Sequence, residues 1–198
     1  SSLVGSEMCI RDRYWNDISA AAPNTDFIIY NIPQLAGVAL TVPLLQEMLK
    51  NPRCVGVKNS SMPVQDIQMF KAAGKAAKGE LIVFNGPDEQ FVAGRAIGAD
   101  GGIGGTYGVM PELFLKLNDL IAAGEHDKAT ELQYDINEII YKMCSSHANM
   151  YAVAKEMLRI NAGLDIGGVR APLENLQEAD KAVAKEAARM VCDKIKCL

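Results

Sequence analysis

The chain has 198 residues, a formal net charge of −4 and a pI near 5.3, and 49% of its residues are hydrophobic. That is enough chain for one good core, or for a core with a helical appendage. The mildly acidic balance gives no electrostatic reason to bind nucleic acid or an anionic membrane, and no apolar run approaches the roughly 18 residues of a bilayer span.

The first thirteen residues, SSLVGSEMCIRDR, have neither a signal-peptide core nor the period of a domain start. They resemble a translated sequencing-adapter read-through, so residues 1–13 are expected to be a non-native leader outside the fold. From Tyr14 a rhythm begins. DFIIYNIP (26–33) is a β-branched and aromatic run stopped by Pro33, and TVPLLQEMLKNP (41–52) has helix character, with Thr41 as N-cap and Pro43 in the first turn. CVGVK (54–58) reads as a second strand and MPVQDIQMFKAAGKAA (62–77) as a second helix, with Val64, Ile67, Met69 and Phe70 near one face. ELIVFNG (80–86) and DEQFVAGRAIGA (88–99) repeat the pair. GGIGGTYG (101–108) and MPELFLKLNDLIAAG (110–124) close the series as a glycine-heavy fourth strand and a helix ending at Gly124.

Four apolar strands alternating with helices predict a parallel sheet covered by helices, either doubly wound or part of a (β/α)8 barrel. The expected domains are thus the leader, an α/β region over 14–124 and a helical region over 125–198. In the last, helices are predicted at 125–146, 148–163 and 175–196, the final one with Glu174, Glu178 and Asp180 early and Lys194 and Lys196 late. No dinucleotide or P-loop fingerprint occurs, so the glycines of 101–108 are weak support for a nucleotide site. Five scattered cysteines (Cys9, Cys54, Cys144, Cys192, Cys197) without a C-x-x-C pair, and only two histidines, predict a reduced cytoplasmic protein with no metal site.

Chemistry in α/β folds gathers at the carboxyl ends of the strands. Here those ends carry Tyr30-Asn31, Lys58-Asn59-Ser60, Asn85-Gly86 followed by Asp88-Glu89, and Gly104-Gly105-Thr106. A lysine at an apolar strand end loses hydration, which favours the free amine that attacks a ketone to form a Schiff base. A tyrosine beside it can pass a proton to or from a substrate oxygen. Taken singly, each residue has a plainer reading. Lys58 fits a solvated strand terminus, Tyr30 a core position, and Asp88 or Glu89 a helix cap. His126 in a charged helical turn and His147 between two helices read as solvated rather than catalytic.

YNIPQLAGVALT (30–41), GVKNSS (56–61), FNGPDEQ (84–90) and GADGGIGGTYG (98–108), in this order, resemble the N-acetylneuraminate lyase and dihydrodipicolinate synthase superfamily of class I aldolases. The resemblance covers nearly all of 14–198, including RAPL (170–173), and NGPDE looks like the lyase branch. It implies the C-terminal half of a (β/α)8 TIM barrel, as four β/α units, followed by a helical C-terminal extension. It also implies that Lys58 is the Schiff-base lysine and Tyr30 the family tyrosine, and that Ser60, Gly86, Asp88, Glu89 and Gly105 bind substrate. The substrates would be pyruvate and a 2-keto sugar acid, foremost N-acetylneuraminate, cleaved to pyruvate and N-acetylmannosamine. No metal or organic cofactor is expected, and a homo-oligomer, a tetramer in the family, is.

Two departures stand out. Sialic-acid lyases commonly read G-S-T where this chain has Gly104-Gly105-Thr106, which removes a serine hydroxyl. The G-[ST]-T-G-E type loop that holds the pyruvate carboxylate in the family has no counterpart, so the chain alone is expected to be inactive. A synthase-like enzyme condensing pyruvate with an aldehyde, and a non-catalytic binding or regulatory protein that kept the pocket, stay open beside the lyase.

Overall fold

The structure, a computed structural model, describes residues 13–198, so Cys9 and residues 1–12 of the expected leader lie outside it. The described chain divides into two compact units, one up to Ile103 and the other running from Gly104 to Leu198.

The first unit opens with helix α1 over residues 13–20. It continues through β1 (Phe27–Asn31), α2 (Pro33–Ala36), α3 (Val42–Met48), β2 (Cys54–Asn59) and α4 (Gln65–Lys78). Then come β3 (Ile82–Asn85), a 3-10 turn (Asp88–Gln90), α5 (Phe91–Ala96) and β4 (Gly101–Gly102). The strands form one sheet in the order β1-β2-β3-β4, every pairing parallel. The register steps between Phe27 and Ile28, whose partners are Cys54 and Gly56, leaving Val55 as an extra residue in β2.

Side-chain alternation gives the two faces of the sheet different roles. Ile29, Val57 and Val83, all at most 2% exposed, point to the helices and pack in one core with Leu44, Leu45 and Met48 of α3 and Ile67, Phe70 and Ala73 of α4. Thr41 caps α3 as its type and place predict, its hydroxyl accepting from Leu44 N at 3.4 Å. On α4, Ile67 and Phe70 are buried as expected, whereas Met69 is exposed. The opposite face carries Ile28, Tyr30, Lys58, Ile82 and Phe84, half-buried or exposed.

The fourth strand is much shorter than its sequence predicts. Only Gly101 and Gly102 pair with β3, at Phe84 and Asn85. Glycine has no side chain to pack on a pleated surface, and beyond Ile103 N, which donates to Asn85 O at 3.0 Å, the chain is loop and turn. The predicted helix at 88–99 likewise resolves into the 3-10 turn and the six-residue α5.

The second unit contains α6 (Pro111–Ala122), α7 (His126–Cys144), α8 (Met150–Ala162) and α9 (Asp180–Ile195). Buried residues recur every three or four positions, as in Leu113, Leu117 and Leu120 of α6 and Leu132, Ile136, Ile139 and Met143 of α7. Helix α6, which the alternating rhythm groups with the strands, packs on α7 and α9. Small residues on α9 (Ala184, Ala187, Ala188) are buried in its packing against α8. Gly124 and Gly163, with φ of 76° and 67°, end α6 and α8 in the left-handed region. Among the described residues, no helix is long and apolar enough to cross a membrane.

Candidate active site

Parallel register brings Tyr30 and Lys58 side by side. They are partners at the ends of β1 and β2, and the next residue in the row is Phe84 of β3. The Lys58 ammonium lies over the Tyr30 ring, with Nζ 4.0 Å from the ring centroid. The ring is 45% exposed and the lysine half-buried, a setting in which such a contact is worth about 0.5–1 kcal/mol. Among the described residues Lys58 forms no ion pair, so the site leaves its nitrogen unclaimed by any carboxylate.

On the opposite face the residue after each of these is an asparagine, and the same holds at the end of β3. Asn31, Asn59 and Asn85 are buried, at 4%, 1% and 1% exposure. Asn31 Nδ2 donates to Asn59 Oδ1 at 2.7 Å, and Asn59 Nδ2 donates to Ser61 Oγ at 2.9 Å. The Ser61 hydroxyl donates to Asp66 Oδ2 at 2.6 Å, in the first turn of α4. Asn31 Oδ1 also accepts from Leu40 N at 2.9 Å, which holds the loop that follows α2.

Backbone bonds carry the ladder past the strand ends. Ser60 N donates to Asn31 O at 2.7 Å and Gly86 N to Asn59 O at 2.8 Å. A Cβ on Gly86 would fall 2.0 Å from Ser60 Oγ, so Ser60 and Gly86 are in contact and only glycine fits. Asn85 Nδ2 donates to Pro87 O at 2.7 Å and fixes the start of the 3-10 turn. That turn presents a buried Asp88, 7% exposed, and a half-buried Glu89.

The structure therefore brings Tyr30 to Lys58 and Ser60 to Gly86, with Asp88 and Glu89 on the turn directly after Gly86. Gly105 lies in the second unit and is exposed. A Cβ there would fall 2.8 Å from Cε1 and 3.0 Å from the hydroxyl of Tyr151. A serine at 105 would thus need the Tyr151 ring to move, and a tyrosine hydroxyl stands beside this turn instead. Sequence reasoning missed Tyr151, since nothing in its helical surroundings marks it. It also gave no role to the asparagines, although one residue type recurring at three strand ends was a visible signal. Among the described residues no three His, Cys, Asp or Glu side chains gather as a metal site.

A family model described as the dihydrodipicolinate synthetase family matches residues 8–190. The N-acetylneuraminate lyase of Mediterraneibacter gnavus is 66% identical over 181 residues, which are 91% of this chain and 56% of that protein. The chain thus spans little more than half the length of that curated relative. Among solved structures, the wild-type Ruminococcus gnavus sialic acid aldolase aligns with a TM-score of 0.92 at 64% identity, over 96% of this chain and 62% of that one. A catalytic lysine mutant of the same aldolase aligns with a TM-score of 0.91 at 63% identity, over 96% and 61%.

Proposed function

The chain belongs to the dihydrodipicolinate synthetase family, and from that membership we propose that it is the Schiff-base-forming part of an N-acetylneuraminate lyase. The observation that carries the proposal is the Lys58 amine, free of any carboxylate, held over Tyr30 at the carboxyl ends of adjacent parallel strands. The 66% identity to an N-acetylneuraminate lyase, and the relative in which a catalytic lysine was mutated, support it. The four strands, in sequential parallel order, correspond in this proposal to half of a (β/α)8 barrel, and the helices after 124 to its C-terminal extension.

Lys58 attacks C2 of the keto acid and water leaves, giving a protonated imine. The imine draws electrons from the C3–C4 bond. Tyr30 accepts the proton of the C4 hydroxyl, so that carbon becomes the aldehyde of N-acetylmannosamine as the bond breaks. The remaining enamine takes a proton at C3, and hydrolysis frees Lys58 and pyruvate. Ser60, Asp88 and Glu89 hold the sugar hydroxyls, and Gly86 leaves them room.

The test is a chimera in which residues 13–198 replace the matching segment of the 66% identical lyase. It should release pyruvate from N-acetylneuraminate, and Lys58→Arg should lower that rate by about 10³-fold or more. Residues 13–198 alone should turn over far more slowly, since Lys58 stands on a sheet face that is open in this chain. A folded chimera that condenses pyruvate with aldehydes but leaves the sugar acid intact would favour a synthase. One that binds pyruvate without any turnover would favour a binding protein.

A further inference from the structure

Tyr30 and Lys58 can act together only if two separate strands keep their ends in step, and the backbone bond from Ser60 N to Asn31 O fixes the main chain there without fixing the side chains. The step from Phe27 to Ile28 shows that this pair of strands accommodates an extra residue. What lies directly behind the two functional side chains is the Asn31–Asn59 hydrogen bond, buried and 2.7 Å long. We propose that Asn31 and Asn59 are positioning residues, which hold the Lys58 amine against Tyr30 from the far face of the sheet. The importance of that contact for catalysis rests on the function proposed above, whereas the positioning itself does not.

The side chains link in series, and Ser61 N also donates back to Asn59 Oδ1 at 3.4 Å. Asn31 donates to Asn59, Asn59 to Ser61, and Ser61 to the Asp66 carboxylate. Each bond polarises the next, and a carboxylate at the end makes the last one charge-assisted and strong. Ser61 is itself buried, at 5% exposure, so water does not substitute for a missing partner. Through Asp66 the chain of bonds is anchored to the first turn of α4, which packs on the core beneath β2. The ends of β1 and β2 are thus tied to each other and to a helix, while their opposite face stays free for substrate.

The readout is the ring-current shift of Lys58. An amine held over an aromatic face places its Cε protons in the shielding region, so their NMR signal should lie upfield of the other lysines. Loss of that signal in Lys58→Arg assigns it, and loss of the upfield displacement in Tyr30→Leu shows its origin. Asn59→Ala and Ser61→Ala should each lose most of the upfield shift in the folded chain. Ser61→Thr, which keeps the hydroxyl, should retain it. Ile67→Val, a core truncation in α4 outside the network, should also retain it at a comparable loss of stability. If Asn59→Ala does not fold, Ser61→Ala decides. A full shift in folded Ser61→Ala, or an equal loss in Ile67→Val, would overturn the proposal. Borohydride trapping of a pyruvate imine tests the function separately, so the two can fail independently.

Discussion

Lysines differ here in what they are tied to. Lys128, Lys181 and Lys194 pair with Glu125, Glu178 and Asp135, and the hydrogen bond in each pair raises the lysine's affinity for its proton. Lys50 and Lys71 are likewise bound to Glu47 and Asp100. An ammonium held by a carboxylate is a poor nucleophile, so the absence of such a pair at Lys58 separates it from these. Asp88 is the second residue with a sharp expectation. Buried on a turn fixed by Asn85, it would accept from a sugar hydroxyl in the proposed lyase, and a shorter substrate would not supply that contact. In the chimera, Asp88→Ala should cost sugar-acid cleavage about 1–3 kcal/mol in kcat/KM while leaving imine formation with pyruvate nearly unchanged. Equal losses in both assays would mean that Asp88 supports the fold and not the sugar. These residues were legible because each sits next to a strand end, where type and place coincide. Tyr151 was not, because its relation to Gly105 depends on how a helix returns in space, which spacing does not encode.

Among elements, β1, β2 and β3 were legible from near-continuous apolar runs such as IIY and VGV, as a parallel sheet beneath helices requires. The fourth was overread, since a glycine-rich run carries no side chains from which a period could be judged. The helices of the second unit were legible from their spacing, but the device that joins two of them was not. Asp180, 1% exposed at the start of α9, accepts from Gln177 N, His147 N and Ser146 Oγ, each at 3.0 Å. The bond from Gln177 N is the largest cause holding its pKa at about 2, below the ordinary 3.8, and the bonds from His147 and Ser146 add to it. A carboxyl with a depressed folded-state pKa contributes stability that is complete above the ordinary value and lost as pH falls through the folded one. Helix α9 and the 145–149 segment should therefore loosen between about pH 4 and pH 2. Hydrogen exchange across that range should show α9 protection falling with pH in the native chain and insensitive to it, at a lower level, in Asp180→Asn. Native-like protection at pH 2 would remove Asp180 from this role.

For the whole molecule, the sheet has a consequence that no single strand has. A parallel sheet is ordinarily covered on both faces, yet this one buries Ile29, Val57 and Val83 beneath helices and leaves Tyr30, Lys58, Ile82 and Phe84 half-buried or exposed. A face that carries a tyrosine beside an amine with no carboxylate partner is what the proposed chemistry requires. On the proposed function, Lys58 alone among the lysines should form an imine with pyruvate. The most direct test is mass spectrometry of the chain after borohydride reduction in the presence of pyruvate, which demands an amine and a ketone but no complete catalytic cycle. A reduced pyruvate adduct should appear on the peptide containing Lys58 and be absent from Lys58→Arg. Adducts spread over the lysines in proportion to their exposure, or labelling unchanged in Lys58→Arg, would contradict that expectation.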